Sequence, residues 1–240
     1  NPLHTDNFEE VSFGPILYGA KKLGMHIHTR YEVSNNAGQD ICDIVNNEGF
    51  DFLLVGSGIS MSDSPDDIAA TRYRTSFYNR YFKRFKAPES WFYPGALLKD
   101  KTKMFIARSN CDVGVFINRN FVKATNTLVV ISSEEDLFLL DYTRTLLKAT
   151  HGSVGIVAKM STTTPGHDQI LKELWDFVSS TPQTQLLPDK DLTPGLFNSY
   201  NFMLIGYNTW NDVSEHRKEA LQKMPSTLIL NKNKRSSSDN

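Results

Sequence analysis

Apolar residues along this chain follow two alternating periodicities. Short runs rich in Val, Ile, Leu and Phe read as strands at 26–33, 51–56, 113–118, 127–132, 153–159, 202–207 and 227–231, with a weaker one at 183–187. Phe52-Leu53-Leu54-Val55 and Leu128-Val129-Val130-Ile131 are apolar at every position, so neither face of these strands suits water and helices should cover both. Between the strands the period lengthens to that of a helix, at 8–24, 38–47, 133–150, 166–180 and 212–223. The acidic Glu134-Glu135-Asp136 suits a helix start, and Gly49 suits the stop after 38–47. Strand and helix in alternation predict an α/β fold with parallel sheets.

The two halves echo each other. Asp51-Phe-Leu-Leu-Val-Gly56 matches Asn201-Phe-Met-Leu-Ile-Gly206, and Ile117-Asn-Arg-Asn120 matches Leu230-Asn-Lys-Asn233, in the same order. This predicts a duplicated unit, 1–122 and 123–240. The second unit carries a complete five-strand series. The first shows only its later strands, lacks an opening β-α-β, and carries an insertion at about 59–98.

Composition narrows the classes. A chain of 240 residues, 40% hydrophobic and 22% charged, can bury a sizeable core, and its net charge of −1 gives no general attraction to nucleic acid. The two cysteines, Cys42 and Cys111, have no metal-site or redox spacing, which fits a reducing compartment. No apolar run approaches the ~18–20 residues that span a bilayer, so this segment is expected to be soluble, and it has the look of a piece cut from a membrane protein.

The succession strand, helix, Asp-Phe-Leu-Leu-Val-Gly, helix, Asp-Val-Gly-Val-Phe-Ile-Asn-Arg resembles the universal-stress-protein fold, over nearly the whole chain. A tandem pair of such Rossmann-like units resembles the cytosolic tail of plant and fungal monovalent cation:proton antiporters, and residues 24–49 most resemble the fungal potassium/proton exchangers of that group. The resemblance implies a regulatory domain, not an enzyme, attached to a transmembrane K+/Na+-for-proton exchanger on the cytosolic face of an endomembrane such as the Golgi. It implies as partners the antiporter's membrane domain, a second copy as a homodimer, or a membrane surface, with no nucleic acid. The ion-carrying residues of such a transporter lie in its membrane domain, so none is carried over to this chain. A free-standing nucleotide-binding stress protein is the alternative, and an enzyme of the adenine-nucleotide hydrolase type, which shares the layered topology, is a third reading.

Candidate chemistry is sparse. ATP-binding stress proteins carry G-x2-G-x9-G-[ST] after the fourth strand, where bare amides approach phosphate oxygens. Gly56-Ser57-Gly58 starts suitably as a nucleotide or anion loop, but Gly58 comes one residue early and Ile59–Ile68 holds no glycine. In the second half, Gly206-Tyr207-Asn208-Thr209-Trp210 puts two aromatic rings where a phosphate would need space. No cofactor is therefore expected, ATP or another nucleotide being the one candidate. His26 and His28 would share one face of a strand, but no third metal ligand lies at suitable spacing. His151 and His167 are isolated. No G-x-S-x-G elbow exists, neither cysteine has a patterned base beside it, and Glu134-Glu135 and Asp66-Asp67 read as helix-start residues.

The insertion is the least ordinary stretch. Ser64-Pro65 opens a predicted helix to Lys86 on which Tyr73, Phe77, Tyr81 and Phe85 form a stripe amid Arg72, Arg74, Arg80, Lys83, Arg84 and Lys86. Such a helix either docks on an anionic membrane, a partner or nucleic acid, or packs its stripe on its own sheet with the charges solvated.

Overall fold

Two-sided apolar strands need helices on both faces, and a computed structural model of the chain has that arrangement around Leu128–Ile131, whereas Phe52 and Leu54 stay exposed among the described residues. It describes residues 6–56, 100–160, 165–188, 192–216 and 223–233. The chain divides into two units, 1–37 and 38–240.

The first unit carries α1 (Asp6–Lys22). Its end is closed by Gly24 in the left-handed region, with the Met25 amide donating to the Ala20 carbonyl at 2.9 Å. The following stretch, 26–33, is not a strand. Its alternating pattern could bury Ile27, Tyr31 and Val33 only against a neighbour, and all three are exposed, Val33 at 83%.

The second unit runs α2 (Ala37–Asn47), β1 (Phe52–Gly56), α3 (Asp100–Arg108), β2 (Asp112–Ile117), β3 (Asn126–Ile131), a 3-10 turn (Glu134–Asp136), α4 (Leu139–Thr150), β4 (Ser153–Ala158), α5 (His167–Ser180), β5 (Thr184–Pro188), α6 (Pro194–Phe197), β6 (Phe202–Gly206), α7 (Tyr207–His216) and β7 (Ser226–Asn231). The strands form one sheet in the order β1-β2-β7-β6-β3-β4-β5, parallel throughout except where β2 meets β7. Instead of separate parallel sheets, the described strands join across this antiparallel seam.

The core lies on both sides of the sheet. On one side Val129, Ile131 and Leu204 pack with Leu139 and Leu147 of α4 and Ile170, Leu174 and Phe177 of α5. On the other, Leu128, Val130, Met203 and Ile205 pack with Trp210 and Val213 of α7 and Phe197 of α6. The in-out alternation of a strand therefore buries apolar side chains whichever way they point. A smaller cluster of Cys42, Phe105 and Val113 holds α2 and α3 against β2.

The seam relates one end of the sheet to its centre. Val115 faces Ile229, while Val113 opposite Asn231 and Ile117 opposite Thr227 exchange places under a local twofold. The flanking pairs repeat as well: Phe52 lies beside Asp112 as Phe202 lies beside Ser226, and Gly56 beside Phe116 as Gly206 beside Leu230. This pairing equates Phe116 with Leu230, whereas the sequence match equated Ile117 with Leu230. The two Asn-basic-Asn turns are thus one residue out of step, because pairing to β1 and β6, rather than side-chain likeness, sets the register.

Candidate functional site

In open α/β sheets, ligands settle beyond the carboxyl ends of strands where the order reverses. Here the chain leaves β3 towards β4 and β5, then returns to β6 and β7 on the other side, so the reversal lies between β3 and β6. Ser132, Ser133 and the 3-10 turn follow β3, and Tyr207 opens α7 directly after Gly206 ends β6. Beside them, towards β7, is a cavity of about 220 Å³ whose lining includes Glu135, Asp136, Gly206, Tyr207, Asn208 and Lys232.

Asp136 occupies the reversal point itself. It is 2% exposed, and its Oδ2 accepts hydrogen bonds from the Ser132 amide at 2.8 Å, the Ser132 hydroxyl at 3.1 Å and the Thr209 hydroxyl at 2.6 Å. The Ser132 and Thr209 hydroxyls are also within bonding distance of each other. Thr209 lies in the first turn of α7, where the helix dipole favours negative charge. A Cβ on Gly206 would fall on Asp136 Oδ1, so only glycine lets the carboxylate approach β6 this closely. Outside, Asn208 Nδ2 donates to Glu135 Oε2 at 2.8 Å. The position that would suit a ligand's anion is therefore held by the chain's own carboxylate, with donors already assigned to it. A phosphate arriving there would meet like charge and no free hydroxyl from Ser132 or Thr209.

Sequence reading took Glu134-Glu135-Asp136 as a helix start. The chain instead makes a 3-10 turn there, α4 begins at Leu139, and Asp136 turns inward to the end of β3. Its signal was local: a serine ending a strand, with aspartate four residues later, can close a side-chain-to-amide turn.

A second polar link was also missed. Asp112, at the start of β2, accepts from the Tyr142 hydroxyl of α4 at 2.9 Å and from the Asn233 amide beyond β7 at 2.7 Å. Burial foremost, then the bond and charge of Asp112, raises the Tyr142 phenol far above its ordinary value.

Of the residues singled out from sequence, Gly56 ends β1. Ser57, Gly58 and the basic set Arg72, Arg74, Arg80, Lys83, Arg84 and Lys86 lie outside the described residues, as does the predicted helix 65–86. His26 and His28 fall in the non-strand stretch after α1, and among the described residues no group of three metal-ligating side chains comes together. His151 caps α4 in the left-handed conformation, its amide donating to the Leu147 carbonyl at 2.9 Å. His167 opens α5, with Nδ1 3.0 Å from Asp168 Oδ1. Cys42 and Cys111 are buried free thiols, both with raised pKa, chiefly through desolvation. Among the described residues no helix is long and apolar enough to cross a membrane.

No family model matches the chain, and no curated protein sequence does. Among solved structures, a universal stress protein from Archaeoglobus fulgidus DSM 4304 aligns with a TM-score of 0.50 at 11% identity, over 95% of this chain and 79% of that one. A functionally unknown protein from Pseudomonas aeruginosa PAO1 aligns with a TM-score of 0.47 at 10% identity, over 96% of this chain and 80% of that one. At such identity the first likeness is one of fold: the layered α/β architecture with a largely parallel sheet is that of universal stress proteins.

Proposed function

We propose that the chain is a non-catalytic regulatory domain of a monovalent cation (K+ or Na+)/proton antiporter, made of two tandem universal-stress-protein-like units of which the first lacks its opening strands. It acts on the cytosolic face of an endomembrane such as the Golgi, through contacts with the antiporter's membrane domain, the membrane surface or a second copy. The carrying observation is that Asp136, held by Ser132 and Thr209, takes the anion position at the switch point between β3 and β6. A fold that keeps its layers while its own carboxylate holds the anion position of the ligand crevice is left with its surfaces to work through. The tandem reading is supported by the repeated pairing of β1–β2 and β6–β7 about the Val115–Ile229 contact. The antiporter assignment rests on the sequence resemblance.

Regulation requires the domain to bind two transporter states with different affinity. The basic residues of the insertion suit that role at an anionic leaflet, where each contributes on the order of 1 kcal/mol in a salt-sensitive way. Reversing Lys83 and Arg84 to glutamate is expected to weaken liposome binding and alter exchange without unfolding the protein. Unchanged binding and exchange would overturn the docking role.

A nucleotide-binding stress-protein function is the second reading, favoured by the fold and by Gly56 closing β1 as Gly206 closes β6. Low-micromolar ATP binding in calorimetry, abolished by Gly58→Val, would establish it in place of the first.

A further inference from the structure

The bonds that hold Asp136 all fall on one of its two oxygens. Oδ2 accepts from the Ser132 amide, the Ser132 hydroxyl and the Thr209 hydroxyl, while Oδ1 accepts from no donor among the described residues. A carboxylate has about four acceptor positions, so this side chain keeps capacity on Oδ1 although it is 2% exposed. A buried acceptor without a donor is costly, and such a group calls for a partner.

That free oxygen belongs to the cavity of about 220 Å³. Ser132 and Thr209, the partners of Oδ2, do not line it, whereas Asp136 itself and Gly206 do. A Cβ on Gly206 would overlap Oδ1, which puts this oxygen against the bare glycine of the cavity wall. Phe138, Tyr207 and Leu230 give the same cavity aromatic and apolar surface, and Glu135 adds a second carboxylate. Lys232, the cation of the lining, is exposed.

Each class of ligand meets a different fate there. An anion is repelled by Asp136 and Glu135, and a neutral apolar molecule leaves Oδ1 without a donor. A bare alkali ion fills little of the space and leaves the apolar wall unused. A positively charged N–H donor on a compact apolar body uses every part, through a charge-assisted hydrogen bond and contact with the rings.

We infer that the cavity beside Asp136 binds a small organic ammonium compound, its ammonium donating to Asp136 Oδ1 and its apolar body lying against Phe138, Tyr207 and Leu230. This goes beyond the regulatory reading by naming the class of effector, and it rests on the geometry of the site rather than on the antiporter assignment.

The test titrates the full 240-residue protein with butylammonium chloride while following backbone amide resonances. Butanol and sodium butyrate carry the same body without the positive charge, and potassium chloride carries the charge without the body. Saturable shifts at Asp136 and at Gly206–Asn208 are expected from butylammonium alone, in the millimolar range. Asp136→Asn should weaken that binding about tenfold or more. Should this variant fail to fold, Asn208→Lys, at an exposed position of the lining, sets a competing ammonium at the site and should weaken binding to a similar extent without lowering the melting temperature. Three outcomes overturn the inference: no saturable shift, equal shifts from butanol, butyrate or potassium chloride, or undiminished binding in the variants. Binding that leaves exchange unchanged would uphold the cavity and count against the regulatory role, so the two fail separately.

Discussion

A Cβ on Gly206 would overlap Asp136 Oδ1, so the glycine that ends β6 and the carboxylate after β3 are fitted to each other. Gly206→Ala should cost about 1–3 kcal/mol by overpacking. Asp136→Ala also destabilises, since a bond to a charged acceptor is worth ~1.5–3 kcal/mol. In the Asp136→Ala background the added methyl meets the Asp136 Cβ position at 4.0 Å, an ordinary contact. The double variant should therefore be more stable than the sum of the singles predicts, by ~0.5–3 kcal/mol in denaturant unfolding. Strict additivity would show that the two do not share the space.

The seam makes a second prediction. Val115 and Ile229 are each 1% exposed and lie opposite each other between β2 and β7. Ile229→Ala should cost ~2–5 kcal/mol, and residues 38–240 should still melt in one cooperative transition, because their strands form a single sheet. Calorimetry that resolves separate transitions for the β1–β2 and β3–β7 regions would contradict this.

Alkaline pH should weaken the fold through Tyr142. The folded protein holds its phenolic proton to higher pH than the unfolded chain, whose ordinary value is 10.0. The contribution is whole below that pH and is lost as pH rises beyond it. Tyr142→Phe should lower stability at neutral pH by about 0.5–1.5 kcal/mol, that of one hydrogen bond, and flatten the alkaline decline. An unchanged alkaline profile would remove Tyr142 as the cause.

Cys42 and Cys111 should react slowly with a thiol reagent in the native protein and rapidly in denaturant. Both are buried and both thiols are held above their ordinary 9.0. Their raised values act in the same sense as that of Tyr142: stability is complete below pH 9 and falls above it. Fast native labelling of either cysteine would contradict the burial.

Much of the fold was legible because fully apolar runs such as 128–131 permit few environments, and β1 through β7 lie within a residue or two of the apolar runs. The stretch 26–33 was misread because alternation signals a strand only when a partner exists to bury one face. α3 escaped notice since Phe105 is its one buried apolar side chain, with Met104 and Ile106 only partly buried among lysines and a threonine. α7 starts at Tyr207 rather than 212 because Thr209 and Trp210, poor helix formers, are buried by tertiary packing that overrides propensity. At the candidate site, Tyr207 lines the cavity while Trp210 is buried in the core, and the inward turn of Asp136 depends on β3 and β6 being adjacent, which only topology supplies.

The central claim is that this domain regulates cation/proton exchange rather than carrying out chemistry of its own. It is tested most directly by reconstituting the polypeptide that carries these residues into vesicles and following proton efflux against K+ or Na+ gradients, with the domain intact and with residues 1–240 deleted. A changed rate or pH dependence of exchange on deletion, with the membrane domain still folded, is the predicted result. Identical exchange in the two proteins, or no exchange from the intact one, would contradict the account.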